Sequence, residues 1–237
     1  MPTLFTSLFA VLLATIALLP FWGLNKELSK RNVFHLVWIF LATQIIITFL
    51  NIRVFETQEY NWVGKGSALL FQIILVLLLG KAMNLSEWLT GVKAFKFDKI
   101  VIICSLYFCL RLYLYIVSGE ATWKIDIETL IFQATLPGIQ EEFLFRGIIL
   151  GLINQAFVNP TVKIFRVHVK LPSIIISSLL FSIVHSVTII DFNFTFNSFR
   201  FFQTVFESFL FTLLVAKYKS IIPSIFFHNL LNVMSNH

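Results

Sequence analysis

The sequence predicts an all-α membrane protein, a polytopic bundle of about eight transmembrane helices. Three observations carry that reading. Hydrophobic residues make up 58% of the 237-residue chain and charged residues only 13%, against about a quarter charged in a soluble domain. Apolar runs recur along the whole length, each near the roughly 20 residues that cross a hydrocarbon core. The remaining charges fall mostly in short stretches between those runs.

Eight apolar segments follow one another, at about 4–23, 33–51, 67–80, 100–118, 128–157, 173–190, 201–216 and 222–236. The first, within MPTLFTSLFAVLLATIALLPFWG, has no basic residue ahead of its apolar core. It reads as a membrane helix rather than a cleaved signal peptide. The third and eighth are short for a span, and are expected to tilt little or to stop inside the bilayer. The fourth holds Cys104 and Cys109, five apart and on different helical faces; they read as small buried apolar residues rather than a disulfide or metal framework. Between the third and fourth, KAFKF with Trp88 is expected to lie along the headgroups as an amphipathic stretch. The eighth opens on Pro223, well suited to the first turn of a helix. No internal repeat or low-complexity tract divides the chain, so residues 1–237 read as a single membrane-embedded domain.

The loop charges test the segment count. Loop 24–32 carries three basic residues and one acid, and loop 81–99 carries four and two. Loop 158–172 carries Lys163, Arg166 and Lys170 with no acid, and Lys217 and Lys219 follow the seventh segment. The intervening loops are neutral or acidic. Basic and non-basic loops therefore alternate, which under the positive-inside tendency puts the basic loops in the cytoplasm and both termini outside. The expected location is a multi-pass protein of a prokaryotic plasma membrane. The net charge of +6 is spread over these loops, so it reads as a topology signal and no nucleic-acid partner is expected.

Charges inside the apolar segments are few, and intramembrane ionisable residues point to function. On the fifth segment, GIQEEFLFRG places Glu142 and Arg146 one helical turn apart, able to pair. Glu141, about 100° further round the helix, has no cation nearby in sequence. An isolated carboxylate of this kind suits a general base. The sixth segment supplies Phe181 and His185 on one face, and the eighth supplies His228 and Asn232. An amide one turn from an imidazole is suited to holding a developing oxyanion. Singly, each of these side chains reads as well as a buried ion pair or an interhelical hydrogen bond. Together they furnish what hydrolysis of an acyl bond requires. Gly147 and Gly151 form a small-residue strip that permits close helix approach. Arg111 and Glu207 either pair with each other or bring Glu207 into the site.

EEFLFR, FSIVH and HNLLN match EExxxR, FxxxH and HxxxN in that order, each within an apolar segment. Over about 128–236 the chain resembles the CAAX-protease and bacteriocin-processing family of intramembrane proteases, the Abi or CPBP family. The resemblance implies that Glu141 and His185 activate the attacking water. It implies that His228 and Asn232 form the oxyanion site and that Glu142 and Arg146 are the supporting ion pair. The implied substrate is a hydrophobic or lipid-modified peptide within membrane lipid. Glu141, His185 and His228 also form a possible zinc set, but there is no HExxH, and the resemblance favours a metal-free, glutamate-type protease over a metalloendopeptidase. Two other classes stay open: a non-catalytic peptide-binding immunity protein of the bacteriocin type, and a proton-coupled transporter. The cavity is expected to open towards the basic end, because His228 lies about one and a half turns into the last segment.

Overall fold

The computed structural model describes residues 8–9, 12–13, 16, 30–54, 58–81, 98–118, 126–157, 160–190 and 193–235. Most of the first apolar segment, 4–23, and the KAFKF stretch with Trp88 lie outside the described residues. The rest is mainly helical: α1 Lys30–Phe49, α2 Trp62–Leu79, α3 Lys99–Val117, α4 Ile127–Ala134, α5 Leu136–Glu142, a π-helical stretch Phe143–Ile149, α6 Leu150–Ala156, α7 Leu171–Ser186, α8 Ser198–Tyr218 and α9 Ile222–Ser235. Among the described residues, α1, α2, α3 and α8 are long and apolar enough to cross a membrane, and α7 and α9 are apolar but shorter. The protein is a helical membrane protein, but these elements do not amount to the eight spans expected from the apolar runs. Leu77, Leu78, Leu114 and Phe202 project outward, each more than half exposed. Lipid accepts such a surface as water does not.

The fifth segment departs most from its expected form. An apolar run at 128–157 is folded as four helical pieces. Thr135 leaves helical geometry, with φ −131° and ψ −82°, and Pro137 sits in the first turn of α5. A proline ring clashes with the carbonyl four residues back, so it is tolerated only near a helix start. The chain therefore bends near Pro137, as the meeting of these segments requires. The π-helical stretch begins immediately after Glu142, and such wide turns are common at functional sites.

Two antiparallel hairpins interrupt the all-α pattern. β1 (Thr161–Ile164) pairs with β2 (Val167–Lys170), and β3 (Val187–Ile190) pairs with β4 (Asn193–Phe196). The first caps the basic end of the bundle, where α6 ends and α7 begins. The second lies at the other end, between α7 and α8.

Two large apolar cores and a small third one around Leu150, Val215 and Ile221 hold the described helices. One large core joins α1, the π-helical stretch, α6 and α7 around Phe40, Phe145, Ile148 and Leu180. The other joins α3, α8 and α9 around Cys104, Leu214, Phe227 and Leu231. Between them run the buried polar side chains. Ser182, Ser186, Thr204 and Thr212 return their hydroxyls to the carbonyl four residues back, the usual way such groups are satisfied inside a helix.

Candidate active site

Asn61 caps α2: its Oδ1 accepts from Gly64 N at 2.8 Å, while its Nδ2 donates to Ile47 O at 2.7 Å. The Trp62 indole nitrogen donates to Glu128 at 3.0 Å. These bonds fix the first turn of α2 against α1 and α4, and so fix Lys65. Its ammonium lies 2.5 Å from Glu141 Oε1 and 3.1 Å from Gln140 Oε1. Glu141 is thus paired, contrary to the isolated carboxylate that sequence spacing suggested. The partner is 76 positions away, beyond the reach of any helical periodicity.

The other oxygen of Glu141 faces two imidazoles. His185 Nε2 lies 3.2 Å from Oε2, and His228 Nε2 lies 3.7 Å from it. His185 Nδ1 is 2.7 Å from the Phe181 carbonyl. A carbonyl only accepts, so Nδ1 carries the proton, and in the neutral ring Nε2 is an acceptor turned towards a carboxylate. Two acceptors so placed call for a donor shared between them, such as a water.

Glu142 and Arg146 are both fully buried and lie 3.0 Å apart. Arg146 also donates to Ser208 Oγ at 2.7 Å. Its guanidinium lies 4.5 Å from the Phe181 ring centre and 5.4 Å from that of Phe211, a geometry that favours a planar cation. The same Glu142 oxygen receives His228 Nδ1 at 2.8 Å. Glu142 therefore does more than pair with Arg146: it orients the imidazole of His228. Phe211 stacks on His228 with ring centres 5.6 Å apart, and Phe181 stacks on His185 at 4.2 Å. The phenylalanine of FxxxH thus seats both His185 and Arg146.

Asn232, one turn beyond His228, borders a small cavity with His185, His228, Gln203 and Glu207. The cavity volume is about 20 Å³, room for about one water molecule. Glu207 accepts from Tyr107 at 2.8 Å and Gln203 at 3.0 Å, and lies 3.8 Å from Arg111. It is both structurally paired and on the cavity wall. Gly138 does the close packing beside the glutamates: a β-carbon there would collide with Asn229 of α9. Gly147 and Gly151 are buried as well.

The residues that line the cavity do not lie at the basic end, towards which it was expected to open. α7 spans about 24 Å, starting from the basic loop, and His185 lies one residue before its end. Arg200 and Gln203 lie near the start of α8, Asn232 near the end of α9, and Lys65 in the first turn of α2. All of these belong to the end opposite loop 158–172. Ser220, Ile221 and Ser224 at the start of α9 are buried while Ile222 is exposed, so the number of residues from that start does not measure depth.

Lys65, Ser208 and Phe211 were not found from the sequence. For Lys65 a signal existed: a cation in the first turn of a helix opposes the positive end of its dipole. Among the described residues, no group of three His, Cys, Asp or Glu side chains is arranged to hold a metal ion. The Lys65 ammonium already lies on one oxygen of the carboxylate that such a set would use.

No curated protein and no solved structure matches the chain. Residues 122–234 match the family described as Rce1-like, the type II CAAX prenyl endopeptidases. That stretch begins just ahead of α4 and contains Glu141, Glu142, Arg146, His185, His228 and Asn232, but not Lys65. Over residues 122–234, a little under half of its length, the chain is similar to that family.

Proposed function

We propose that the protein is an intramembrane endopeptidase that hydrolyses a peptide bond near the C-terminus of a prenylated, membrane-associated peptide. The observation that carries this reading is the convergence on Glu141 Oε2 of two imidazole nitrogens, His185 Nε2 at 3.2 Å and His228 Nε2 at 3.7 Å. A water donating to Oε2 and to His185 Nε2 would lose a proton to Glu141 as it attacks the scissile carbonyl. His185, its tautomer set by the Phe181 carbonyl, holds that water in line. Lys65 keeps Glu141 from turning away and balances its charge.

Attack converts the carbonyl oxygen to an oxyanion. His228, held through Nδ1 by Glu142, presents Nε2 towards the site, and the Asn232 amide is a donor beside it. Preorganised donors at such a point typically contribute about 10²–10³ in rate. Collapse of the intermediate expels the amine, which takes back the proton held by Glu141. The bond between the carbonyl carbon and nitrogen breaks, and a carboxylate and an amine leave. We assign no metal to these steps, which makes the enzyme glutamate-type. The Rce1-like match supports the substrate class, and the outward apolar surface supports reaction within lipid.

The test is cleavage of a panel of labelled peptides, prenylated and unprenylated, by purified protein in detergent, with products identified by mass spectrometry. Cleavage confined to prenylated peptides and unaffected by a chelator is the expected result. Chelator-sensitive cleavage restored by zinc alone would remove the glutamate-type assignment. Absence of cleavage by folded protein would favour a peptide-binding immunity role.

A further inference from the structure

A second cavity lies at the opposite end of the bundle from the glutamates, where α6 ends, α7 begins and α8 ends. Its volume is about 370 Å³, within the range of small-molecule sites. Lys170, Lys219 and His168 line it together with Asn154, Ser173 and Thr212, and none of its described lining residues is acidic. Lys170 donates to the Asn154 carbonyl, a neutral acceptor. Ser173 Oγ donates to Asn154 Oδ1 at 2.6 Å. Burial pushes the Lys170 ammonium below its ordinary pKa, because a cation loses favourable hydration there. The 16-residue helix α7 also begins at this cavity with no side-chain cap on its first turn, which adds a positive partial charge.

The position matters as much as the charge. The cavity is at the level where the spans leave the apolar region, beneath a hairpin that also carries Lys163 and Arg166. Basic pockets between helix ends at this depth are suited to anionic lipid headgroups. From the cavity, its cations and its depth, we infer a binding site for a phosphate-class anion, held by Lys170 and Lys219 with Ser173 and Thr212 as polar contacts. The glycerol portion of a lipid fits the remaining volume, while its acyl chains lie outside in the bilayer. This site is independent of the proteolytic reading and stands or falls without it.

The full chain would be purified from membranes and its retained phosphatidylglycerol measured by native mass spectrometry. A second arm measures thermal stability in phosphatidylcholine nanodiscs, in phosphate or chloride buffer of equal ionic strength. The variants are Lys170→Gln and Lys219→Asn, chosen because Gln still donates to Asn154 and Asn tolerates the left-handed backbone at 219. Each should weaken retention about five-fold, whereas Lys163→Gln and Arg166→Asn, outside the cavity, should not. Ala216→Leu fills the cavity without changing charge and should also abolish retention, so the test survives a misfolded lysine variant. Retention without a phosphate effect identifies the lipid headgroup as the source; stabilisation by phosphate that the same variants remove identifies a soluble anion. Equal losses in the outside variants, full retention in Ala216→Leu, or no response in either arm would overturn the inference.

Discussion

Lys65 and Glu141, 76 positions apart in sequence, meet at 2.5 Å beside the two imidazoles. The pair crosses from the first turn of α2 to the last residues of α5, so the half of the chain without a family motif contributes to the cluster. In the proposed reaction this ammonium is a positioning group. Lys65→Met should lower kcat by roughly 10²-fold, the cost of a misplaced reacting group, with little change in KM. Lys65→Arg should recover part of the loss. A fall confined to KM would place Lys65 in substrate binding instead.

Arg146 has no exposed surface, and Glu142 depends on it for charge balance. Arg146→Met should destabilise the protein by about 3–5 kcal/mol, the usual consequence of leaving a buried partner unpaired. Adding Glu142→Gln should restore part of that stability, because the two effects share one interaction. Thermal unfolding in detergent, followed by tryptophan fluorescence, reads both. Additive losses would show that the two side chains do not act as a pair.

Gly138 is where α5 and α9 touch through Asn229. Gly138→Ala should cost about 1–3 kcal/mol through overpacking and should disturb the neighbouring His228. The double variant Gly138→Ala with Asn229→Ala should regain most of the stability. Unchanged stability in the single variant would contradict this packing.

Asp98 caps α3 from outside the membrane span. Burial works to raise its pKa, but hydrogen bonds from Tyr218 and Lys217 and from the backbone amides of Val101 and Ile100 prevail and hold it below the ordinary carboxylate range. Its folded pKa is depressed, so its contribution is full above the unfolded value of about 3.9 and fades as pH falls through the folded value. Asp98→Asn should therefore lower the melting temperature at pH 7 and reduce the loss seen on acidification below about pH 4. Parallel curves for the two proteins would argue against this linkage.

What the sequence revealed and what it concealed divide along physical lines. Glu142 with Arg146, Phe181 with His185, and His228 with Asn232 are each one turn apart, so helical spacing alone exposed them. The Lys65–Glu141 and Arg146–Ser208 contacts depend on how distant helices pack, and no local pattern encodes them. The first hairpin was missed for a different reason. Phe165 and Arg166 form its two-residue turn with φ of 48° and 67°, where glycine or asparagine would normally advertise the reversal. The end of the bundle at which the small cavity lies depends on how α7, α8 and α9 pack, so distance along α9 alone does not measure it.

The most direct measurement is the cleavage rate of a prenylated peptide by wild type and Glu141→Gln, both shown to be folded by thermal unfolding. Glutamine keeps the shape of the side chain and its contact with Lys65 but cannot take a proton from water. The expected result is a loss of at least about 10²-fold in kcat, the contribution of a positioned general base, with substrate binding retained. A Glu141→Gln protein that cleaves at the wild-type rate would contradict the assignment of Glu141 as the water-activating base.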